Sequence, residues 1–277
     1  MKKLIFLLGI CLPLIMTAQS LEPVWETPRV MQTPESVFYN SQDNLIYVSN
    51  INGNPTKKDG NGFISLLNPD GKIIKLKWVQ QGLNAPKGMA MKGQYLYVTD
   101  IDRLAEIDIR NQKIVNFYPA PGAEFLNDTQ TGDNGMIYVT DTKKGAIYIL
   151  DNNRLYPWII DPLLKGANGL AWENGKLLVG TDDYLLQVDP TNKTLKKLVP
   201  NKGGIDGLVP LGNGKYLVSD WAGKIQIISP NEKSVILSNT TAEKINAADL
   251  GYIPGNKLVL IPTFFDNRII AKQITGL

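Results

Sequence analysis

Six related segments of this sequence each place one residue at an equivalent position, and most of these residues are polar. They are Glu35, Lys87, Asn127, Asn168, Asp206 and Ala248. Two carboxylates that converge with two amides would repel each other unless a cation lay between them or one carboxylate kept its proton. Carboxylate and amide oxygens are the hard ligands that Ca²⁺ prefers. If these residues converge, the sequence predicts a divalent-cation site, with Ca²⁺ first and Mn²⁺, Mg²⁺ and Zn²⁺ left open.

A second interpretation of these six positions is structural. A polar residue before glycine or serine is also a common turn residue, chosen for its backbone conformation. The structural interpretation explains any single position as well as a binding site does, but it explains the whole set of polar residues less well. Lys87 is ambiguous in the same way, since it could be a solvated rim residue or a partner for a substrate carboxylate.

The sequence contains no histidine, which restricts the chemistry available to it. A Ser-His-Asp or Cys-His triad, an imidazole base and a zinc site built on histidine are all excluded. Catalysis would have to use carboxylates, amides, lysine, tyrosine or a metal held by oxygen.

The six segments recur at intervals of 38 to 52 residues, which is the period of a propeller blade. Each contains an apolar strand, a tight turn such as Asn174-Gly175 or Asn213-Gly214, and a second strand rich in Tyr, Val and Leu. Asn-Gly between apolar runs is a strong hairpin signal. A second column of turns, including Asp70-Gly71, completes two hairpins per period. A β-sandwich would show no such period.

We therefore predict an all-β, six-bladed β-propeller with four-stranded antiparallel blades over residues 19–277. The six equivalent residues should lie close to the central channel, at one face of the ring. The stretch from Asn50 to Gly62 is interpreted as an inserted loop, and Val24 to Val30 as a strand added to the last blade. Trp172 and Trp221 are expected to pack within blades.

The first 18 residues have the pattern of a secretory signal peptide. Lys2 and Lys3 precede an apolar run from Leu4 to Met16, which is too short to span a bilayer, and small residues follow before a cut after Ala18. Cys11 is the sole cysteine, so the mature chain would have neither disulfide nor thiol nucleophile. The net charge of +3 includes both lysines of this segment and gives no reason to expect nucleic-acid binding. We expect a periplasmic or secreted monomer without a membrane span.

With these motifs the chain resembles the senescence marker protein (regucalcin)/gluconolactonase family of six-bladed, metal-dependent lactonases. Glu35 matches the glutamate of the family's Glu-Gly-Pro motif, Asn168 the asparagine of Asn-Gly-Leu, and Asp206 the aspartate of Pro-Asp-Gly. The resemblance implies that these three residues bind the metal and that Asp206 also assists the attacking water. Asn127-Asp128 matches an Asn-Asp-Gly segment on the substrate side, which implies substrate binding.

The chain departs from the family pattern at three places, which imply a retained metal site and a changed sugar-acid specificity. Ser36-Val37 replaces Gly-Pro after Glu35, Thr129 replaces the glycine after Asp128, and Phe125 stands where some family lactonases carry an arginine that holds substrate hydroxyls. The expected function is an exported metal-dependent hydrolase that opens a lactone or related cyclic ester, acting on a sugar-derived or other small molecule. The alternative is a non-catalytic propeller that binds a glycan, peptide or protein partner.

Overall fold

A computed structural model describes residues 19–277, and these residues form 24 β-strands with three short 3₁₀ turns. The predicted signal peptide over residues 1–18, with Cys11, lies outside them. The strands in chain order are β1 (Ser20–Glu26), β2 (Pro34–Asn40), β3 (Leu45–Asn50), β4 (Gly62–Leu67), β5 (Ile73–Leu83), β6 (Pro86–Lys92), β7 (Tyr95–Asp100), β8 (Arg103–Asp108), β9 (Lys113–Pro119), β10 (Leu126–Thr131), β11 (Ile137–Asp141), β12 (Ala146–Asp151), β13 (Arg154–Ile160), β14 (Leu170–Glu173), β15 (Lys176–Gly180), β16 (Tyr184–Val188), β17 (Leu195–Pro200), β18 (Leu208–Gly212), β19 (Lys215–Ser219), β20 (Lys224–Ser229), β21 (Glu232–Asn239), β22 (Gly251–Ile253), β23 (Leu258–Pro262) and β24 (Ile269–Thr275). The 3₁₀ turns are Pro162–Leu164, Pro254–Asn256 and Phe264–Asp266.

The strands form six separate four-stranded antiparallel sheets, each built from strands that are consecutive in the chain, with one exception. The sixth sheet has the order β1-β24-β23-β22, so the first strand of the described chain pairs with the last. We call the sheets blades one to six, beginning with β2–β5 and ending with β22–β24 plus β1. The structure thus confirms the six-bladed propeller.

The closing strand β1 lies earlier than the sequence suggested. It spans Ser20–Glu26, with Ser20 opposite Thr275 and Glu26 opposite Ile270. The ladder ends before Pro28, which has no N–H to donate to a neighbouring strand. The predicted insertion is confirmed, because residues 51–61 connect β3 to β4 as a loop.

The hydrophobic core lies between neighbouring blades. One cluster joins Tyr47 and Ile64 of blade one to Met89 and Leu96 of blade two, and equivalent clusters join the other blades. The middle strands are almost wholly buried, whereas outer strands such as β21 expose most of their residues. Each blade therefore needs its neighbours to bury its apolar faces, which is why the sequence repeats at blade spacing.

In the part of the chain that the structure describes, no helix has both the length and the apolar character needed to cross a membrane.

Candidate functional site

A cavity of about 450 Å³ opens at one face of the propeller around its axis. Its lining residues are Glu35, Ile51, Pro55, Lys87, Phe125, Asn127, Asn168, Asp206, Trp221, Phe264 and Phe265. All five polar members of the equivalent set predicted from the repeat are among them. The sixth, Ala248, is buried in an apolar cluster with Ile51, Ile101 and Phe264. Five blades therefore contribute a polar side chain to the cavity, and blade six contributes none from this position.

Hydroxyl groups at the ends of the second strands hold the polar residues in place. Thr140 Oγ1 accepts a hydrogen bond from Asp128 N (3.0 Å) and donates one to Asn168 O (2.9 Å). Ser219 Oγ similarly accepts from Gly207 N (2.9 Å) and donates to Ala248 O (2.7 Å). Each hydroxyl links the entry of one inner strand to that of the next blade.

Sequence reasoning missed these hydroxyl groups, which hold the site residues in position. Their signal was present in the repeat, where Ser49, Thr99, Thr140 and Ser219 each follow a valine and precede Asn or Asp. Thr99 Oγ1 donates to Asn127 O, so the link also reaches blade three. The recurring hydroxyl is explained by the interblade bond that it makes.

Glycines after the polar residues let neighbouring inner strands approach closely. A side chain on Gly169 would collide with the Asp206 carbonyl, and one on Gly207 would collide with the backbone of Leu250. The Asn-Gly and Asp-Gly pairs at these positions are therefore close-packing features, not positive-φ turns.

The base of the cavity holds an incompletely paired set of oxygen acceptors. Asn168 Nδ2 donates to Asp206 Oδ1 at 2.8 Å, which turns the Asn168 carbonyl oxygen away from that bond. Within residues 19–277, Asn168 Oδ1 and Glu35 Oε2 are buried and have no hydrogen-bond partner. Unpaired buried acceptors cost free energy, and native proteins retain few of them. Both atoms belong to residues expected to bind metal.

The carboxyl groups at the axis favour their protonated forms. Burial raises the pKa of Glu35 well above its ordinary value, and the charge of Asp206 adds to the effect. Burial, followed by the charge of Asp249, raises the pKa of Asp206 to about 8. The metal-free site therefore disfavours ionised carboxylates, first because they are buried and second because they lie near one another.

Asp128 is buried and is not among the residues that line the cavity. Its carboxylate accepts hydrogen bonds from Thr129 N (2.7 Å) and Leu170 N (2.5 Å). Burial raises its pKa to about 7, against the effect of these two bonds. Its bond to Leu170 N joins blades three and four, whereas its neighbour Asn127 lines the cavity.

Asp249 is a further axial carboxyl group that sequence reasoning missed. It follows Ala248 as Asp128 follows Asn127, and this shared position in the repeat is the signal that could have identified it. Its Oδ2 accepts from Ser36 Oγ at 2.5 Å. Burial, followed by the charge of Asp128, raises its pKa well above the ordinary value.

Lys87 is not the solvated rim residue that one interpretation expected. Its exposed fraction is 1%, and its Nζ donates to Ala85 O at 3.1 Å and to Pro55 O at 3.3 Å. The ammonium also lies 4.4 Å from the centre of the Phe125 ring. Burial lowers the pKa of Lys87, and attraction to Glu35 opposes that shift. A cation is thus fixed at the cavity wall.

The two tryptophans singled out in the sequence differ in environment. Trp172 stacks on Tyr138 at 5.5 Å between ring centres and packs within the blades, as expected. The expectation for Trp221 is wrong, because 46% of this residue is exposed and it lines the cavity. Its loop position after β19, beyond the blade core, is the reason.

The donor chemistry at the base fits a hard divalent cation. Among the described residues no three Asp, Glu, Cys or His side chains cluster as a metal site. The candidate set instead combines the Glu35 and Asp206 carboxylates with the Asn168 amide oxygen, and two of these three residues have an unpaired buried acceptor. Such mixed oxygen sets suit Ca²⁺.

Comparison with solved structures shows the class of fold. The chain aligns over 93% of its length with 92% of a candidate gluconolactonase solved by X-ray crystallography, at 14% identity and a TM-score of 0.67. It aligns over 93% of its length with 98% of a streptogramin B lyase, at 12% identity and a TM-score of 0.66. A catalytically inactive histidine-to-alanine variant of virginiamycin B lyase from Staphylococcus aureus, solved with quinupristin, matches 92% of this chain and 99% of its own at 13% identity and a TM-score of 0.58.

No protein-family model and no curated protein matches the sequence. The structural comparisons therefore define the class as a six-bladed propeller. Within that class, the chain shares the fold of gluconolactonase-like and streptogramin-lyase propellers, which confirms the resemblance at the level of fold.

Proposed function

We propose that this protein is an exported, metal-dependent hydrolase of the gluconolactonase-like type that opens a lactone or related cyclic ester. The observation that carries the proposal is the pair of unpaired buried acceptors, Glu35 Oε2 and Asn168 Oδ1, beside Asp206 in the axial cavity. Glu35, Asn168 and Asp206 would hold the cation, most favourably Ca²⁺. When bound, it supplies Lewis acidity toward a carbonyl oxygen.

In this proposal Asp206 is the catalytic base. Its Oδ1 is held by Asn168 at 2.8 Å, which fixes the orientation of the carboxylate. The carboxylate accepts a proton from water as the water oxygen bonds to the acyl carbon. The ring C–O bond then breaks and its oxygen takes up a proton, so that the product is a hydroxy acid.

Asn127 and Lys87 are proposed to position the substrate. Asn127 Nδ2 donates to Thr142 Oγ1 at 3.2 Å, which orients its amide at the cavity wall. The buried Lys87 ammonium supplies a fixed positive charge for a carboxylate or a polarised oxygen. Asp128, whose two oxygens accept from Thr129 N on its own strand and from Leu170 N of the next blade, fixes the strand that carries Asn127.

The composition favours hydrolysis over the lyase activity of two structural neighbours. The inactive virginiamycin B lyase carries alanine in place of a histidine. This chain contains no histidine, so it cannot supply that group. Oxygen ligands and a carboxylate base remain available.

The second candidate function is a non-catalytic propeller that binds a glycan, peptide or protein partner. The exposed aromatic side chains of Trp221 and Phe265 at the cavity mouth favour it, because exposed aromatic residues are frequent in binding surfaces.

The test uses purified protein comprising residues 19–277, freed of metal with a chelator. Proton release from a panel of aldonolactones and simple lactones is measured with Ca²⁺, Mn²⁺, Mg²⁺ or Zn²⁺ added separately. Metal-dependent release supports the hydrolase. No release from any lactone, with metal binding demonstrated by calorimetry, would favour the binding protein. Intact-mass analysis of the exported protein should give a chain that begins at Gln19.

A further inference from the structure

Most of the apolar side chains that line the axial cavity come from one side of the ring. Loops that connect the second and third strands contribute Ile51 and Pro55 from blade one, Trp221 from blade five, and Phe264 and Phe265 from blade six. The corresponding loops of blades two, three and four, at 101–102, 142–145 and 181–183, contribute no lining residue. An apolar wall therefore lies on the side of blades five, six and one, and Phe125, just before blade three, adds one aromatic ring on the other side.

Three aromatic rings of this wall pack edge to face. Trp221 lies 5.4 Å from Phe264 and 5.9 Å from Phe265, and the two phenylalanine rings lie 4.8 Å apart. Phe265 is 63% exposed although its neighbour Phe264 is buried. Large aromatic surfaces left in water at the mouth of a cavity are available to bury part of a ligand.

The backbone holds this wall in a fixed position. Phe264 has a φ of +49°, which is unfavourable for a bulky residue and requires support from its surroundings. The loop that contains it is closed by Thr263 N to Arg268 O at 3.1 Å, and Arg268 binds Glu26 at 2.6 Å. Asn246 Nδ2 donates to the carbonyl of Trp221 at 2.9 Å. The backbone of the apolar wall is therefore held in place by these hydrogen bonds.

Among residues 19–277, polar side chains line this cavity only at the equivalent positions described above. A ligand with hydroxyls along its whole length would place some of them against Trp221, Phe265 and Phe125, where they would lose water without gaining hydrogen bonds. A ligand with one polar end and one apolar end would satisfy both parts of the cavity.

We infer that the ligand of this cavity is a lactone that carries an aryl or branched-alkyl substituent, bound with its ring at the polar residues and its substituent against Trp221, Phe264 and Phe265. The inference deepens the proposed function and rests on it for the lactone ring. The apolar substituent rests on the aromatic wall alone.

Binding is tested first with lactams, which resemble lactones but resist hydrolysis. Calorimetry compares γ-phenyl-γ-butyrolactam with its unsubstituted parent on the metal-loaded protein. We expect the phenyl compound to bind about tenfold more tightly, since burying a phenyl group in a preformed apolar site is worth at least this factor. The Trp221→Ala and Phe265→Ala variants should each reduce that ratio about threefold or more.

The matched control is Ile236→Ala, which removes a comparably exposed apolar side chain (58%) from the outer strand β21 and should leave the ratio unchanged. Hydrolysis of γ-phenyl-γ-butyrolactone, γ-butyrolactone and glucono-δ-lactone is then compared as kcat/KM. We expect kcat/KM to be highest for the phenyl lactone, lower for γ-butyrolactone and lowest for glucono-δ-lactone. The ratio of kcat/KM between the phenyl and unsubstituted lactones should fall in Phe265→Ala.

The outcomes separate the inference from the proposed function. Equal binding of the two lactams, or a ratio that survives both aromatic substitutions, overturns the inference even if lactones are hydrolysed. Selective binding of the phenyl lactam without hydrolysis of any lactone supports the apolar ligand and overturns the hydrolase. A higher kcat/KM for glucono-δ-lactone than for the phenyl lactone also overturns the inference.

Discussion

At the residue scale, repeat register was the reliable guide to the site. Because equivalent residues of a propeller occupy equivalent places around the axis, aligning six short segments was enough to place Glu35, Asn168 and Asp206 in one cavity. Register alone does not show burial, so it does not distinguish a solvated Lys87 at the rim from a Lys87 buried in the cavity wall. It also does not show which side chains outside the six equivalent positions line the cavity. Trp221 and Phe264 are such residues, because they come from loops whose shape depends on tertiary contacts.

The Asp206→Asn variant should separate catalysis from folding. It keeps an oxygen donor and nearly the same volume but removes the base, so turnover should fall by about 10²-fold or more. Its melting temperature at pH 5, where the Asp206 carboxyl is mostly protonated and neutral like an amide, should change little. Lactone hydrolysis is measured by proton release, with Asp70→Asn, at an exposed turn, as the matched control. Activity that survives Asp206→Asn undiminished would remove Asp206 from the mechanism.

The Thr140→Val variant tests the hydroxyl links between blades. It leaves Asp128 N and Asn168 O without their partner in a buried place, which should cost about 1–3 kcal/mol in the free energy of unfolding. Urea denaturation measures this cost. Thr194→Val, at an exposed turn, should cost far less. Equal effects of the two substitutions would show that the hydroxyl is not a structural link.

At the element scale, turn chemistry decided how much could be predicted. Asn174-Gly175 and Asn213-Gly214 have positive φ at both residues, as the hairpin pattern required. The turn at Pro254-Gly255-Asn256 is instead a 3₁₀ turn, with positive φ only at the following Lys257. Proline fixes a negative φ and cannot occupy a turn of the Asn-Gly kind. The strand β1 was misplaced because its pairing partner lies at the other end of the chain.

Because β1 closes the ring with one face buried, substitutions on its two faces should destabilise the protein unequally. Leu21 is buried in the cluster that joins blades five and six, whereas Val24 on the same strand is 52% exposed. Leu21→Ala should lower the free energy of unfolding by about 2 kcal/mol or more, and Val24→Ala by much less. Thermal or urea unfolding provides the measurement. Similar losses from both would contradict the observed orientation of β1.

At the scale of the whole molecule, the ring brings four carboxyl groups to its axis. Glu35 and Asp206 line the cavity, and Asp128 and Asp249 lie at the next position of their repeats. Lys87 is a buried cation of the cavity wall, and it lies beside Glu35. No single segment could reveal this set of axial carboxyl groups, since it forms only when the blades close.

This arrangement predicts how the stability of the metal-free protein depends on pH. Folding raises the pKa of Asp206 from 3.8 to about 8 and that of Asp128 from 3.8 to about 7, so the folded state binds more protons than the unfolded state between these values. The stabilising contribution is fully present below about pH 4 and is lost as the pH rises toward 8. With chelator present, the melting temperature should therefore fall between pH 5 and pH 8.

Added Ca²⁺ should reverse this loss at pH 8, because a cation among the carboxylates favours their charged forms. Ligand at about 100 times its dissociation constant adds about 2.7 kcal/mol. The melting temperature at pH 8 should then rise by several degrees, and by less at pH 5, where protons compete with the cation. Glu35→Gln should weaken both the pH dependence and the response to Ca²⁺, whereas Asp70→Asn should change neither. A metal-free protein equally stable at pH 5 and pH 8 would show that the axial carboxyl groups are not held as this structure places them.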